Sequence, residues 1–133
     1  VAAELAVKEQ VEFAERVGAL RDRLQEALEQ RIPDLVVNGR EAERAPHICN
    51  VSIPGVSNEA LMVTLDMEGI AASSGSACSS GSVTPSHVLM ALGLTPELAA
   101  PSVRFSLGRE TTESEIDRVI SIVPPLIWKN DAQ

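Results

Sequence analysis

A cysteine lies in the middle of an unusual segment of small residues. Residues 73–82 contain only Ser, Gly, Ala and Cys78. These side chains are too small to fill a core, so the segment predicts an exposed, mobile loop over 73–84. Between residues 69 and 103 the one acidic side chain is Glu97, so little negative charge opposes the thiolate form of Cys78. The loop therefore predicts a nucleophilic thiol that moves sulfur between two places, and an inert linker is the alternative.

Arg104 is the second residue whose position suggests chemistry. Residues 102–107 alternate apolar and polar side chains, which predicts a strand. Val103 and Phe105 face one side of it, and Arg104 faces the other. The planar guanidinium fork fits a substrate carboxylate, although pairing with a structural carboxylate is the alternative. Arg109, just after the strand, is predicted to be structural.

The histidines and the other cysteine give weaker indications of chemistry. His87 follows Cys78 by nine residues and is a candidate proton donor or acceptor, with a solvent-facing histidine as the alternative. Cys49 alternates with Val51 on a predicted strand, so we expect it to be a small buried hydrophobe. Two Cys and two His at scattered positions lack zinc-ligand spacing, which predicts no metal site.

The chain contains two lysines, and neither has the setting that covalent catalysis requires. Lys8 lies in the first predicted helix and Lys129 near the end of the chain. A lysine that forms a Schiff base needs a buried position in which it loses its proton. The sequence therefore predicts no such lysine in these residues.

The elements that position these residues form an α+β pattern: a small sheet of short strands packed against helices. A long amphipathic helix leads over 1–32. Strands are predicted at 35–37, 48–53, 69–72 and 102–107. Helices are predicted to begin at Ser57, Thr84-Pro85 and the capping box that starts at Thr112, and Pro124-Pro125 is expected to close the last one.

Composition excludes several classes of function. The chain has 133 residues and 14.2 kDa, which predicts a single domain. The formal net charge is −8 and the basic residues form no patch, so we expect no direct nucleic-acid partner. No apolar run reaches the roughly 18 residues that cross a membrane. Two cysteines in unlike surroundings form no disulfide framework, which favours a reducing compartment, the cytoplasm.

Several ordered segments resemble the NifS/IscS-type cysteine desulfurases, which are pyridoxal-phosphate enzymes of the class V aminotransferase group. The strongest segments are SSGSAC at 73–78, PSHVL at 85–89, ALGL at 91–94, SVRFSLGR at 102–109 and TTE at 111–113. Upstream, similar segments are LRDRL at 20–24, NG at 38–39, AP at 45–46 and NVS at 50–52. The resemblance extends over nearly the whole chain.

The resemblance implies a reaction and two roles. L-cysteine is converted to L-alanine, and its sulfur becomes a persulfide on the enzyme. Cys78 matches the residue that carries the persulfide, and Arg104 matches the arginine that binds the substrate carboxylate. The resemblance further implies a homodimer and a sulfur-acceptor protein, with the sulfur used in iron–sulfur cluster assembly or in thiolation.

The resemblance covers the C-terminal small domain of that fold. In the family, the lysine and the other residues that hold pyridoxal phosphate lie in a preceding large domain. We therefore expect no cofactor-binding residue in this chain, and we expect the 133 residues alone neither to hold the cofactor nor to turn over cysteine. A non-enzymatic persulfide carrier and a selenocysteine lyase-like class V enzyme are the alternatives.

Overall fold

The computed structural model describes residues 1–74, 76–79 and 82–130, without the side chains of 76–79, 82–83 and 129–130. The helices are α1 (Ala2–Arg31), α2 (Asn58–Met67), α3 (His87–Ala91), α4 (Pro96–Ala99) and α5 (Glu113–Asn130). The strands are β1 (Val36–Val37), β2 (Ile48–Ser52), β3 (Ser73–Ser74), β4 (Ser76–Ser79), β5 (Ser82–Pro85) and β6 (Ser102–Ser106). This mixture of helices and one small antiparallel sheet confirms the predicted α+β class.

The four-stranded sheet has the order β1-β2-β6-β3, and every neighbouring pair is antiparallel. Strand β6 is central, with Asn50 of β2 opposite Arg104 on one side and Ser73 of β3 opposite Arg104 on the other. Strands β4 and β5 form a separate two-stranded sheet, in which Cys78 is opposite Val83. The residues around Cys78 were expected to form a loop, and the structure has strands there; the mobility of 73–84 stays a prediction.

The core lies between the sheet and the two longest helices. Helix α1 buries one stripe, Val17, Leu20, Leu24 and Leu28, at the helical spacing of three and four. Helix α5 packs against α1 and buries residues at matching spacing, Ile116, Ile120, Val123 and Ile127. The sheet contributes Cys49, Val51, Val103 and Phe105 to the same cluster. One face of the sheet is therefore covered by helices.

Hydrogen bonds at the helix starts agree with the sequence pattern. Ser57 is confirmed as the N-cap of α2, because its Oγ accepts from the Ala60 N–H at 3.4 Å. The capping box of α5 is also confirmed. The Thr112 N–H donates to Glu115 Oε2 at 2.8 Å, and the Glu115 N–H donates to Thr112 Oγ1 at 3.3 Å.

Two predicted boundaries are wrong by a few residues. Residues 69–72 do not form a strand. Gly69, with φ +71°, lies in the turn after α2, residues 70–72 have no regular secondary structure, and β3 begins at Ser73. The helix predicted from Thr84-Pro85 begins at His87, with Ser86 as its N-cap. Pro85 instead ends β5 opposite Ser76, where a residue without an N–H is tolerated at a sheet edge.

The prediction that Pro124-Pro125 closes the last helix is also wrong, since α5 continues to Asn130. Pro124 has no N–H for the Ile120 carbonyl, four residues before it. The Arg31 guanidinium, at the end of α1, donates to that carbonyl oxygen at 3.2 Å. Burial of Val123 and Ile127 on the same face holds the helix against the core across the two prolines.

We predict that Arg31 stabilises the fold through this carbonyl. Arg31→Met should lower the free energy of unfolding by about 1 kcal/mol, the usual contribution of one hydrogen bond. In a Pro124→Ala background the alanine N–H bonds Ile120 within the helix, so the same substitution should cost close to nothing. Urea unfolding of the four proteins in this double-mutant cycle measures the coupling. Equal costs in the two backgrounds would contradict the assignment.

Cys49 is a buried core residue, as predicted, with no exposed surface. Burial raises the pKa of its thiol from the ordinary 9.0 to about 11, although Arg44 and Arg21 act in the opposite direction. The folded state therefore favours the neutral, protonated form of the thiol. It is protonated at neutral pH and is a poor nucleophile there.

This pKa predicts a loss of stability at high pH. The unfolded thiol ionises near pH 9 and the folded thiol near pH 11, so the folded state binds the proton more tightly. The contribution of this thiol to the free energy of unfolding is fully present below pH 9. It is lost as the pH rises to 11, which lowers the free energy of unfolding by about 2 to 3 kcal/mol. Urea unfolding between pH 8 and 11 should show this decline, and Cys49→Ala should lack it. Parallel curves for the two proteins would contradict the prediction.

Candidate functional site

Arg104 projects from the central strand onto the face of the sheet opposite the core. Its neighbours Val103 and Phe105 are buried, and Arg104 is exposed. Its Nη2 donates to Ser73 Oγ at 3.4 Å, a long hydrogen bond. Among the described residues, no carboxylate forms an ion pair with Arg104. The guanidinium thus presents its remaining donors to a ligand.

A fixed network of polar side chains lies beside Arg104 on the same face. Asn50 is directly opposite Arg104 across β2 and β6. Asn38, which is 5% exposed, donates from Nδ2 to Asn50 Oδ1 at 2.7 Å and to Ser52 Oγ at 2.9 Å. Gly39 follows with φ +72° and turns the chain there. The sequence predicts no role for this network, although Asn38, Asn50 and Ser52 lie in segments that resemble the family and the polar side chains alternate along β2.

Cys78 lies on β4, in the hairpin that directly follows β3. The position of its thiol lies outside what the structure describes, as do residues 75, 80 and 81. Chain connectivity nevertheless limits the distance. Cys78 is five positions after Ser73, the hydrogen-bond partner of Arg104, so their Cα atoms are at most about 18 Å apart.

His87 is the first residue of α3 and is exposed, two residues after β5 ends at Pro85. Within the described residues it makes no hydrogen bond and no ion pair, so nothing there orients its imidazole toward Arg104. The predicted structural role of Arg109 fits its ion pair with Glu9. Glu97 is exposed, and hydrogen bonds from its own backbone N–H and from the Thr95 side chain lower the pKa of its carboxyl.

The described residues of this chain do not by themselves fit pyridoxal phosphate. Lys8 is exposed on α1, and the side chain of Lys129 is outside the description. The described side chains therefore include no buried lysine that would form a Schiff base. They also include no group of three His, Cys, Asp or Glu residues arranged to hold a metal ion. In the same residues, no helix combines the length and apolarity needed to span a bilayer.

Comparisons with curated proteins found cysteine desulfurases. The chain is 49% identical over 108 residues to a cysteine desulfurase of Trichormus azollae, covering 81% of this chain and 27% of that protein. It is 50% identical over 128 residues to cysteine desulfurase IscS of Anaeromyxobacter sp. (strain Fw109-5), covering 96% and 31%. The chain thus spans less than a third of the length of these relatives.

Solved structures with the same fold belong to similar proteins. The chain matches a NifS-like protein from Rickettsia africae with a TM-score of 0.79 and 25% identity, over 94% of this chain and 31% of that one. It matches DndA from Streptomyces lividans with a TM-score of 0.52 and 42% identity, over 79% and 28%. These matches agree with the architecture described above, and the assignment to a C-terminal small domain stays a prediction.

The family itself is established by a match to most of the chain. A family model described as Aminotransferase class-V matches residues 2–119, which include Cys78, His87 and Arg104. With the desulfurase relatives and the NifS-like fold, this match shows that the chain belongs to the class-V aminotransferase family.

Proposed function

We propose that this chain provides the sulfur-accepting thiol and the carboxylate-binding arginine of a cysteine desulfurase. The observation that carries the proposal is Arg104, an arginine without a carboxylate partner among the described residues, on the strand beside β3, from which the Cys78 hairpin continues. The desulfurase relatives, at 49% and 50% identity, support the same reaction.

In the proposed reaction, Arg104 binds and orients the carboxylate of L-cysteine. The thiolate of Cys78 attacks the sulfur of the substrate and forms an S–S bond. The bond between that sulfur and the β-carbon of the substrate breaks, and its electron pair goes to the β-carbon. The β-carbon takes up a proton in place of the one that Cys78 released on forming the thiolate, which gives L-alanine. The products are alanine and a persulfide on Cys78, so atoms and electrons balance.

The full-length protein would hold pyridoxal phosphate through residues outside this chain. The class is pyridoxal-phosphate dependent, and the cofactor withdraws electrons from the bound amino acid. No residue described in this chain is assigned to it. We therefore expect the 133 residues alone to be inactive.

The persulfide requires an acceptor. A sulfur-acceptor protein would take the outer sulfur from Cys78, for iron–sulfur cluster assembly or for thiolation, and the full-length protein would be a cytoplasmic homodimer.

The lack of a buried lysine among the described residues also favours a second candidate, a carrier that receives sulfur on Cys78 from another enzyme.

Cys78→Ser in the full-length protein should abolish alanine formation from cysteine, because a hydroxyl does not accept the sulfur. Cys49→Ala is the matched control, since it removes the other thiol and should retain activity. Alanine release and mass spectrometry of the protein, which detects the added sulfur atom, measure both. Full activity of Cys78→Ser would disprove the role of Cys78. A sulfur gained on Cys78 by the 133-residue chain from an active desulfurase and cysteine would favour the carrier.

Arg104→Gln should raise KM for cysteine roughly 10- to 100-fold, the effect of losing one charge-assisted hydrogen bond. Arg118→Gln is the control. Arg118 is also an exposed arginine, but it donates to the Glu68 carbonyl at 2.7 Å, away from the open face of the sheet. Steady-state kinetics should show a normal KM for the control, and an unchanged KM for Arg104→Gln would contradict the assignment.

A further inference from the structure

Asn58, the first residue of α2, joins three segments of the chain through one side-chain amide. Its Nδ2 lies 2.9 Å from Ser74 Oγ, 3.1 Å from the Ser102 carbonyl oxygen and 3.2 Å from the Ala100 carbonyl oxygen. Ser74 belongs to β3, Ser102 to β6, and Ala100 is the C-cap of α4. The amide therefore ties the start of the central strand to the edge strand beside it.

The orientation of this amide is fixed by its partners. Backbone carbonyls only accept hydrogen bonds, so the nitrogen of the Asn58 amide must face Ser102 and Ala100. In this orientation Asn58 Oδ1 is buried without a hydrogen-bond partner in the described residues. The fold keeps the nitrogen at the two carbonyls although the oxygen remains unsatisfied, so the contacts of the nitrogen determine the position of this side chain.

Strand β3 depends on such side-chain contacts. It has two residues and lies at the edge of the sheet, where β6 is its neighbour. So short a strand is weakly held by its backbone pairing. Successive residues of a strand face opposite sides, so Ser73 lies on the open face with Arg104, and Ser74 lies on the side of buried Val103. Arg104 and Asn58 thus hold β3 from opposite faces.

The two contacts differ in strength and in use. The Arg104 contact with Ser73 is long, at 3.4 Å, and belongs to the residue that the proposed function assigns to the substrate carboxylate. The Asn58 contact with Ser74 is 2.9 Å and involves no substrate-binding residue. Asn58 therefore remains available to hold β3 while Arg104 binds a carboxylate.

We propose that Asn58 is a positioning residue for sulfur transfer: it keeps β3 against β6 and thereby fixes the point from which the Cys78 hairpin leaves the sheet. Cys78 follows Ser74 by four residues, so a displaced β3 displaces the base of that hairpin. The inference rests on the proposed function, because it assigns Asn58 an effect on the attacking thiol.

The test uses the full-length protein with Asn58→Asp and Asn58→Ala. Aspartate has nearly the same size and removes both donors, and its charge at the N-terminus of α2 favours the helix. Glu59→Gln is the control, since it changes a charge at the same helix start without contacting β3. Two variants keep the test valid if one of them folds poorly.

Both Asn58 variants should form the persulfide about 10- to 100-fold more slowly in a single turnover, because small displacements of reacting groups have effects of this size. Binding of L-alanine, measured by the cofactor absorbance change, should keep its amplitude and affinity, because it needs Arg104 and no thiol. Amide hydrogen exchange should quicken in the peptide containing β3 and stay unchanged in β2. Glu59→Gln should match the parent in all three measurements.

Parental persulfide rates in both Asn58 variants, with Cys78→Ser inactive, would overturn this inference and leave the proposed function standing. Loss of L-alanine binding together with the slower rate would also overturn it, because Asn58 would then support the fold in general. An active Cys78→Ser would overturn the proposed function and this inference with it.

Discussion

The two-residue period of β6 is the constraint on which the candidate site depends. Val103 and Phe105 are buried against the helices. Because successive side chains of a strand point to opposite faces, their burial places Arg104 on the open face. A shift of one residue in register would bury the guanidinium and expose the apolar pair, so the hydrophobic core fixes the direction of the charged group. The site is a consequence of how the core packs.

Rigidity differs between the two sides of this arrangement. On the covered face, α1 and α5 bury long apolar stripes, and Arg31 satisfies the carbonyl that Pro124 leaves without a donor. At the edge, β3 has two residues and is held by the side chains of Asn58 and Arg104. The arginine that we propose to bind the carboxylate therefore stands on a central strand, and Cys78 follows a two-residue strand at the edge of the sheet.

This arrangement suits the proposed transfer of sulfur between two sites. A substrate must be held still while its C–S bond breaks, which favours an arginine on a central strand. A sulfur carrier must reach both a substrate and an acceptor, which favours a hairpin outside the main sheet. The buried Cys49, with its raised pKa, is a poor nucleophile at neutral pH and would not compete with Cys78 in the proposed reaction. The two thiols of the chain are thus separated by environment.

The local sequence determined the elements that depend on interactions between residues close together in the chain. Alternation located β2 and β6, the apolar stripe located α1, and the side chains of Ser57 and Thr112 located the starts of α2 and α5. The types of Cys78 and Arg104 predict their chemistry, and these two roles stay proposals. Tertiary structure decided what depends on residues far apart in the chain. Arg31, 93 positions before Pro124, donates to the carbonyl that this proline leaves without a donor, and Asn58 donates to Ser74 of β3. Neither contact leaves a pattern in the sequence, because a long-range hydrogen bond has no period.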